Sequence, residues 1–287
     1  MNVQTAIDIG LRCGLIPAAA ALAVFLAVGW LWAPDVARRY RAGIAFAFGV
    51  FIGFVLLPET KTLAPAQFWE WLPHLGVLAA FVAGVTRAAG VTRGERWTAV
   101  YLFSAVAAWL IVPQWQELMP PWPVQWVCLA VGMIVLTALL MPLPQRLPGR
   151  AFPWWLVLTA ATTSVLMMEQ VSETFGRLAA LPAGALAGCG IATLLSKELV
   201  DWRSLVLPFA TVVGGYAFTG YVYPTTPVRP MLLLPLAPLA LWMCTLEPLA
   251  RLAGVRAVAF QAICVLTPLL IVAALLFARG GAVGVDW

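Results

Sequence analysis

Residues 118–145 read LMPPWPVQWVCLAVGMIVLTALLMPLPQ and contain no charged side chain. A helix rises 1.5 Å per residue, so about 20 apolar residues cross the roughly 30 Å hydrocarbon core of a bilayer. Further charge-free runs of 16 or more residues lie on both sides of this one: 13–34, 42–58, 71–86, 97–116, 151–168, 178–196, 204–228, 230–246 and 257–278. With 118–145 they make ten. The pattern predicts an all-α, polytopic integral membrane helix bundle with about ten transmembrane helices.

Composition points the same way. Of 287 residues, 63% are apolar and only 10% are charged, against roughly a quarter charged in an average soluble domain. The mean hydropathy is +0.94. A water-soluble globule of this size has too few charges here to cover its surface. Soluble, disordered and secreted disulfide-rich classes are therefore excluded.

Orientation follows from the basic residues. The first, third, fifth, seventh and ninth loops hold Arg38, Arg39 and Arg41; Arg87, Arg93 and Arg96; Arg146 and Arg150; Lys197 and Arg203; Arg251 and Arg256. These are 12 of the 17 basic residues. The positive-inside rule puts these loops in the cytoplasm and both termini on the outer, periplasmic side of a bacterial cytoplasmic membrane. Trp69, Trp71, Trp115, Trp122 and Trp126 crowd the opposite side, where amphipathic rings suit the headgroup level. The start MNVQTAID has no basic n-region, so the first run reads as an uncleaved helix.

Sliding the chain on itself gives a match at an offset of 165: TAIDIGLRCGLIPAAA (5–20) against QVSETFGRLAALPAGA (170–185). It pairs Asp8 with Glu173, Arg12 with Arg177 and Pro17 with Pro182. The expected organisation is two parallel four-helix repeats, 1–113 and 170–287, joined by a linking helix pair at 114–169. Small residues at four-residue spacing, Ala45, Gly49 and Gly53 and then Gly184 and Gly188, mark close helix contacts.

Chemistry is sparse. GxSxG, HExxH, GxxxxGK[ST] and GxGxxG are absent. His74 is the single histidine, and the five cysteines are scattered without a CxxC. No catalytic residue, cofactor or metal site is expected, and the chain reads as a non-enzyme. The five thiols read as inert and buried.

Two groups of candidate binding residues remain. Asp8 with Arg12, and Glu173 with Arg177, stand four apart, so each pair shares a helix face. Glu169 adds an acid to the second face. They read either as anchors in the headgroups or as a gate or ligand clamp between the halves. The second group is the hydroxyl patch Thr159, Thr162, Thr163 and Ser164, joined by Tyr216, Thr219 and Gln261. These serve helix packing or line a solute path. The basic stretch 34–41 reads as topogenic arginines touching anionic lipid.

The expected function is transporter-like or channel-like, for a small solute or lipid intermediate, with the pathway at the repeat interface. The alternative is a non-catalytic scaffold or accessory subunit of a membrane complex. Expected partners are membrane lipids and other membrane subunits, with no nucleic acid. A wet, polar cavity favours transport. A dry core with a lipid-facing apolar groove favours the accessory role.

Overall fold

The computed structural model describes residues 10–58, 63–88, 90–115, 120–147, 150–195, 200–224, 228–247 and 249–280. Among the described residues there is no strand. Each of the ten charge-free runs holds one long helix, with a further short helix, Leu143–Arg146, at the end of the run 118–145. In chain order the long helices are α1 (Gly10–Leu31), α2 (Pro34–Val55), α3 (Phe68–Val85), α4 (Arg93–Ile111) and α5 (Trp122–Leu140). They continue with α6 (Phe152–Gln170), α7 (Glu173–Leu195), α8 (Arg203–Val222), α9 (Arg229–Thr245) and α10 (Gly254–Gly280). By length and composition, α1, α3, α5, α7, α8 and α10 suffice to cross a membrane.

Local signals account for the boundaries. Pro34 opens α2 and Pro123 sits in the first turn of α5, where a missing N–H costs nothing. Thr92 and Glu95 form a reciprocal cap that starts α4, each satisfying a backbone donor of the other. The first turn of α1, Gly10–Leu15, is wound as a wider π-helix. All 17 residues of α9 are wound as a 3₁₀ helix, which contains Pro230, Pro235 and Pro238. Pro235 and Pro238, inside the helix, remove backbone donors that an α-helix would use, whereas Pro230 lies in the first turn.

The centre of the bundle is α8. All of its residues are buried except Arg203 and Gly214, which is how a helix apolar on every side must sit. The broadest interfaces are α1 with α2, α6 with α7, α3 with α8 and α1 with α7, and α2 also packs on α7. Large apolar side chains face outward around the rim, among them Leu26 and Trp30 of α1, Leu102 of α4 and Leu270 of α10. An apolar exterior of this extent suits hydrocarbon rather than water.

Glycine sets the tightest crossings. A Cβ at Gly188 would run into the Ala18 carbonyl, and one at Gly184 into the carbonyls of Cys13 and Gly14. Gly49 and Gly53 of α2 close on Pro17 of α1 and on Ala185 and Leu181 of α7. The small-residue stripes read in the sequence therefore join α1, α2 and α7 around Pro17, where close backbone approach lets dispersion hold helices together in lipid.

The parallel repeat makes α2–α7 and α1–α8 equivalent contacts. The first is extensive, whereas α1–α8 is not among the broader interfaces of the described residues, and the sequential pairs α1–α2, α2–α3 and α3–α4 do have counterparts in α7–α8, α8–α9 and α9–α10. A shift of five helices matches more of the packing. It relates α1–α2 to α6–α7 and α4–α5 to α9–α10, and maps α2–α7 and α3–α8 onto themselves. The α1–α7 contact has no counterpart under that shift.

Candidate functional site

The charged residues near the starts of α1 and α7 are reached first. Arg177 pairs with Glu173 across one helical turn of α7. The Glu173 side chain is 52% exposed, so the pair lies at a wet surface where such bridges contribute about 0–1 kcal/mol. Glu169 is exposed at the end of α6. Arg12 is half-buried in the π-turn of α1, which packs against α7. Asp8, its expected partner, lies outside the described residues.

The hydroxyl patch is self-contained. Thr159 donates to Trp155 O at 2.9 Å and Thr163 to Thr159 O at 2.8 Å. Thr219 donates to Gly215 O at 3.0 Å. Each hydroxyl thus returns to a carbonyl one turn back in its own helix. Ser164 donates across to Gly176 O of α7 at 2.7 Å, and a buried bond from Trp155 Nε1 to Gln261 Oε1 at 2.8 Å ties α6 to α10. Tyr216 is fully buried in α8, and its hydroxyl has no partner among the described residues. Ser164 and the Trp155–Gln261 bond link neighbouring helices, whereas the three threonines bond within their own.

The aromatic residues at the same end of the bundle also pack among themselves. Tyr223 meets Phe175 at 4.5 Å between ring centroids, and Phe68 meets Trp115 at 5.5 Å. Trp126 Nε1 donates to Ala105 O at 2.9 Å. His74 sits edge-on to Phe51, with its ring nitrogens 3.0 Å from the carbonyls of Glu70 and Leu63.

On the other side the arginines turn inward onto helix ends. Arg41 is buried in α2; its Nε donates to Phe25 O at 2.7 Å and its guanidinium lies 4.1 Å from the Phe25 ring centroid. A Cβ at Gly29 would strike that guanidinium. Arg41 is therefore a packed residue, not the lipid-facing charge expected from 34–41. Arg96 Nε donates to Thr86 O at the end of α3 (2.8 Å), and Arg150 Nη1 to Thr193 O at the end of α7 (2.9 Å). Cations at helix C-termini satisfy open carbonyls and complement the helix dipole.

The most buried ion pair on this side joins the loop after α3 to the loop before α8. Arg87 Nη1 lies 3.0 Å from Asp201 Oδ2, and the Arg87 side chain is only 7% exposed. Arg203 grips the same carboxylate through Nε at 2.8 Å and Nη2 at 2.9 Å. Burial lowers Arg87 to a pKa of about 10, against the opposing pull of Asp201. Burial also works against the Asp201 carboxylate, but hydrogen bonds from Arg203 and the charge of Arg87 outweigh it and hold Asp201 below its usual range. Two cations on one acid make a structural clasp.

One feature is shaped to receive a ligand, and sequence reasoning missed it. A groove of about 290 Å³ lies between α5, α8 and α9. Its walls include Leu129, Met133 and Leu136 of α5, Phe218 of α8, and Leu232 and Pro235 of α9. Gln125 and Cys128 also line it. Gly132 and Gly214 border it, and a Cβ on either would meet nothing within 4 Å. Gly214 is thus the point where the otherwise buried α8 opens to the groove. Cys128 is exposed, unlike Cys13, Cys189 and Cys244, which corrects the expectation of five buried thiols.

Among the described residues, no group of three or more His, Cys, Asp or Glu side chains could hold a metal ion. Comparison with protein-family models, with curated proteins and with solved structures finds no match to this chain.

Proposed function

We propose that the chain is a ten-span integral membrane protein that takes the hydrocarbon chain of a lipid or lipid intermediate into the groove between α5, α8 and α9. The groove is the single observation that carries this reading. It is almost wholly apolar, as suits a hydrocarbon ligand, whereas Thr159, Thr163 and Thr219 of the expected solute-lining set bond within their own helices.

Helix lengths support ten spans. The 22 residues of α2 and the 19 of α4 and α6 reach about 28–33 Å as α-helices. The 17 residues of α9 reach about 34 Å at the 3₁₀ rise of roughly 2.0 Å. With both termini outside, residue 66 faces the periplasm and residue 247 the cytoplasm. A membrane-impermeant maleimide on right-side-out vesicles should label Ala66→Cys and leave Glu247→Cys unlabelled until lysis. The reverse order would overturn the orientation.

Lipid handling is tested in proteoliposomes. Movement of a fluorescent, chain-bearing lipid between leaflets should rise with protein and fall in Gly132→Leu, which fills the groove. Permeation of water-soluble solutes that is untouched by Gly132→Leu would contradict the reading. The apolar, lipid-facing character of the groove favours a second reading, an accessory subunit that holds a structural lipid there. That subunit would retain lipid without moving it.

A further inference from the structure

We infer that the groove takes a bilayer lipid whose headgroup donates a hydrogen bond, with Gln125 as the acceptor that reads it. This inference rests on the chain-binding reading above.

Gln125 stands on the first turn of α5, where the groove meets the segment before the helix. Its side chain is 3% exposed. Its Nε2 donates to Pro120 O at 2.8 Å. A carbonyl can only accept, so this bond fixes which end of the amide is nitrogen. The other end, Oε1, is buried and has no partner among the described residues. An acceptor buried without a donor is costly, and a ligand that supplies the donor recovers that cost.

The remainder of the groove suits a chain. From Gln125 to Leu136 the helix rise gives about 16 Å, close to half of the roughly 30 Å hydrocarbon core. A lipid held at Gln125 would therefore lie within one leaflet, which is the outer leaflet in the proposed orientation. Leu129, Met133, Phe218 and Leu232 flank that path, and Gly132 and Gly214 leave it open. The occupant that meets both ends is an aminophospholipid of the surrounding bilayer, whose ammonium group donates. A phosphatidylcholine with identical chains has no headgroup donor.

The test uses the full chain, delipidated in mild detergent and exposed to equimolar phosphatidylethanolamine and phosphatidylcholine of matched chains. Retained lipid is read by native mass spectrometry. The wild type should favour phosphatidylethanolamine by about tenfold, the worth of one hydrogen bond. Gln125→Leu should bind both lipids equally, and Gln125→Glu, which keeps an acceptor, should preserve the preference. Gly132→Leu and Gly214→Leu, placed in open space, should fold and lose both lipids. Equal retention by the wild type would overturn the role of Gln125 and leave the chain-binding groove standing. Undiminished retention by folded Gly132→Leu and Gly214→Leu would overturn the groove itself, and the proposed function with it.

Discussion

At the scale of single residues, most polar side chains in this protein hold helix ends or neighbouring helices. Asp201 is the sharpest case, because it is shared by Arg87 and Arg203. Its carboxyl is held below the usual range of about 4. A carboxylate with a lowered folded pKa contributes stability fully above its unfolded value and loses it as pH falls through the folded one. Unfolding in detergent should therefore show a stability loss below about pH 4 that is smaller in Asp201→Asn. At neutral pH that variant should be less stable by about 2–4 kcal/mol, because it leaves Arg87 buried without its acid. Equal stability of the two proteins at pH 7 would contradict the clasp. Some of this was legible in the sequence. The four-residue steps from Trp155 to Thr159 to Thr163 are those at which hydroxyls return to their own helix. Arg41 was not legible, because the charge-free run starts one residue after it. Its burial depends on Gly29 of another helix leaving room for the guanidinium.

At the scale of elements, glycines separate packed faces from open ones. Gly188→Ala should drive a methyl into the Ala18 carbonyl and destabilise the α1–α7 crossing by about 1–3 kcal/mol. Gly214→Ala enters open space and should be neutral or stabilising by up to about 1 kcal/mol through helix propensity. Thermal unfolding of the two variants side by side checks the contrast, and equal effects would refute it. The winding of α9 is also measurable. Spin labels at Leu232→Cys and Met243→Cys, both outward-facing positions, should stand about 22 Å apart along a 3₁₀ axis and only about 16 Å apart along an α-helix. A mean distance near the shorter value would contradict the 3₁₀ winding. The sequence exposed each helix because charge interrupts apolar runs. It did not expose the winding of α9, since prolines at 230, 235 and 238 were read only as part of an apolar run.

At the scale of the whole molecule, the bundle is organised around α8, with apolar side chains outward and arginines folded onto helix ends at one side. The offset of 165 that suggested a parallel repeat rests on a few rare residues near the start of α1 and α7. Similar local sequence at two helix starts does not impose similar packing beyond them, and the broad α2–α7 interface has no equally broad α1–α8 counterpart. The groove was invisible in the sequence for a related reason. It arises where faces of α5, α8 and α9 fail to close on one another, and no local pattern records a missing neighbour. Its occupancy is the central claim, and Cys128 reports on it directly, as an exposed thiol on the groove wall. The decisive measurement is the rate at which a small apolar maleimide alkylates Cys128 in a Cys264→Ser background, in detergent with and without added phosphatidylethanolamine. A seated chain should slow the reaction several-fold in the wild-type groove and leave it unchanged in Gly132→Leu. A rate indifferent to lipid in the wild-type groove would contradict the account.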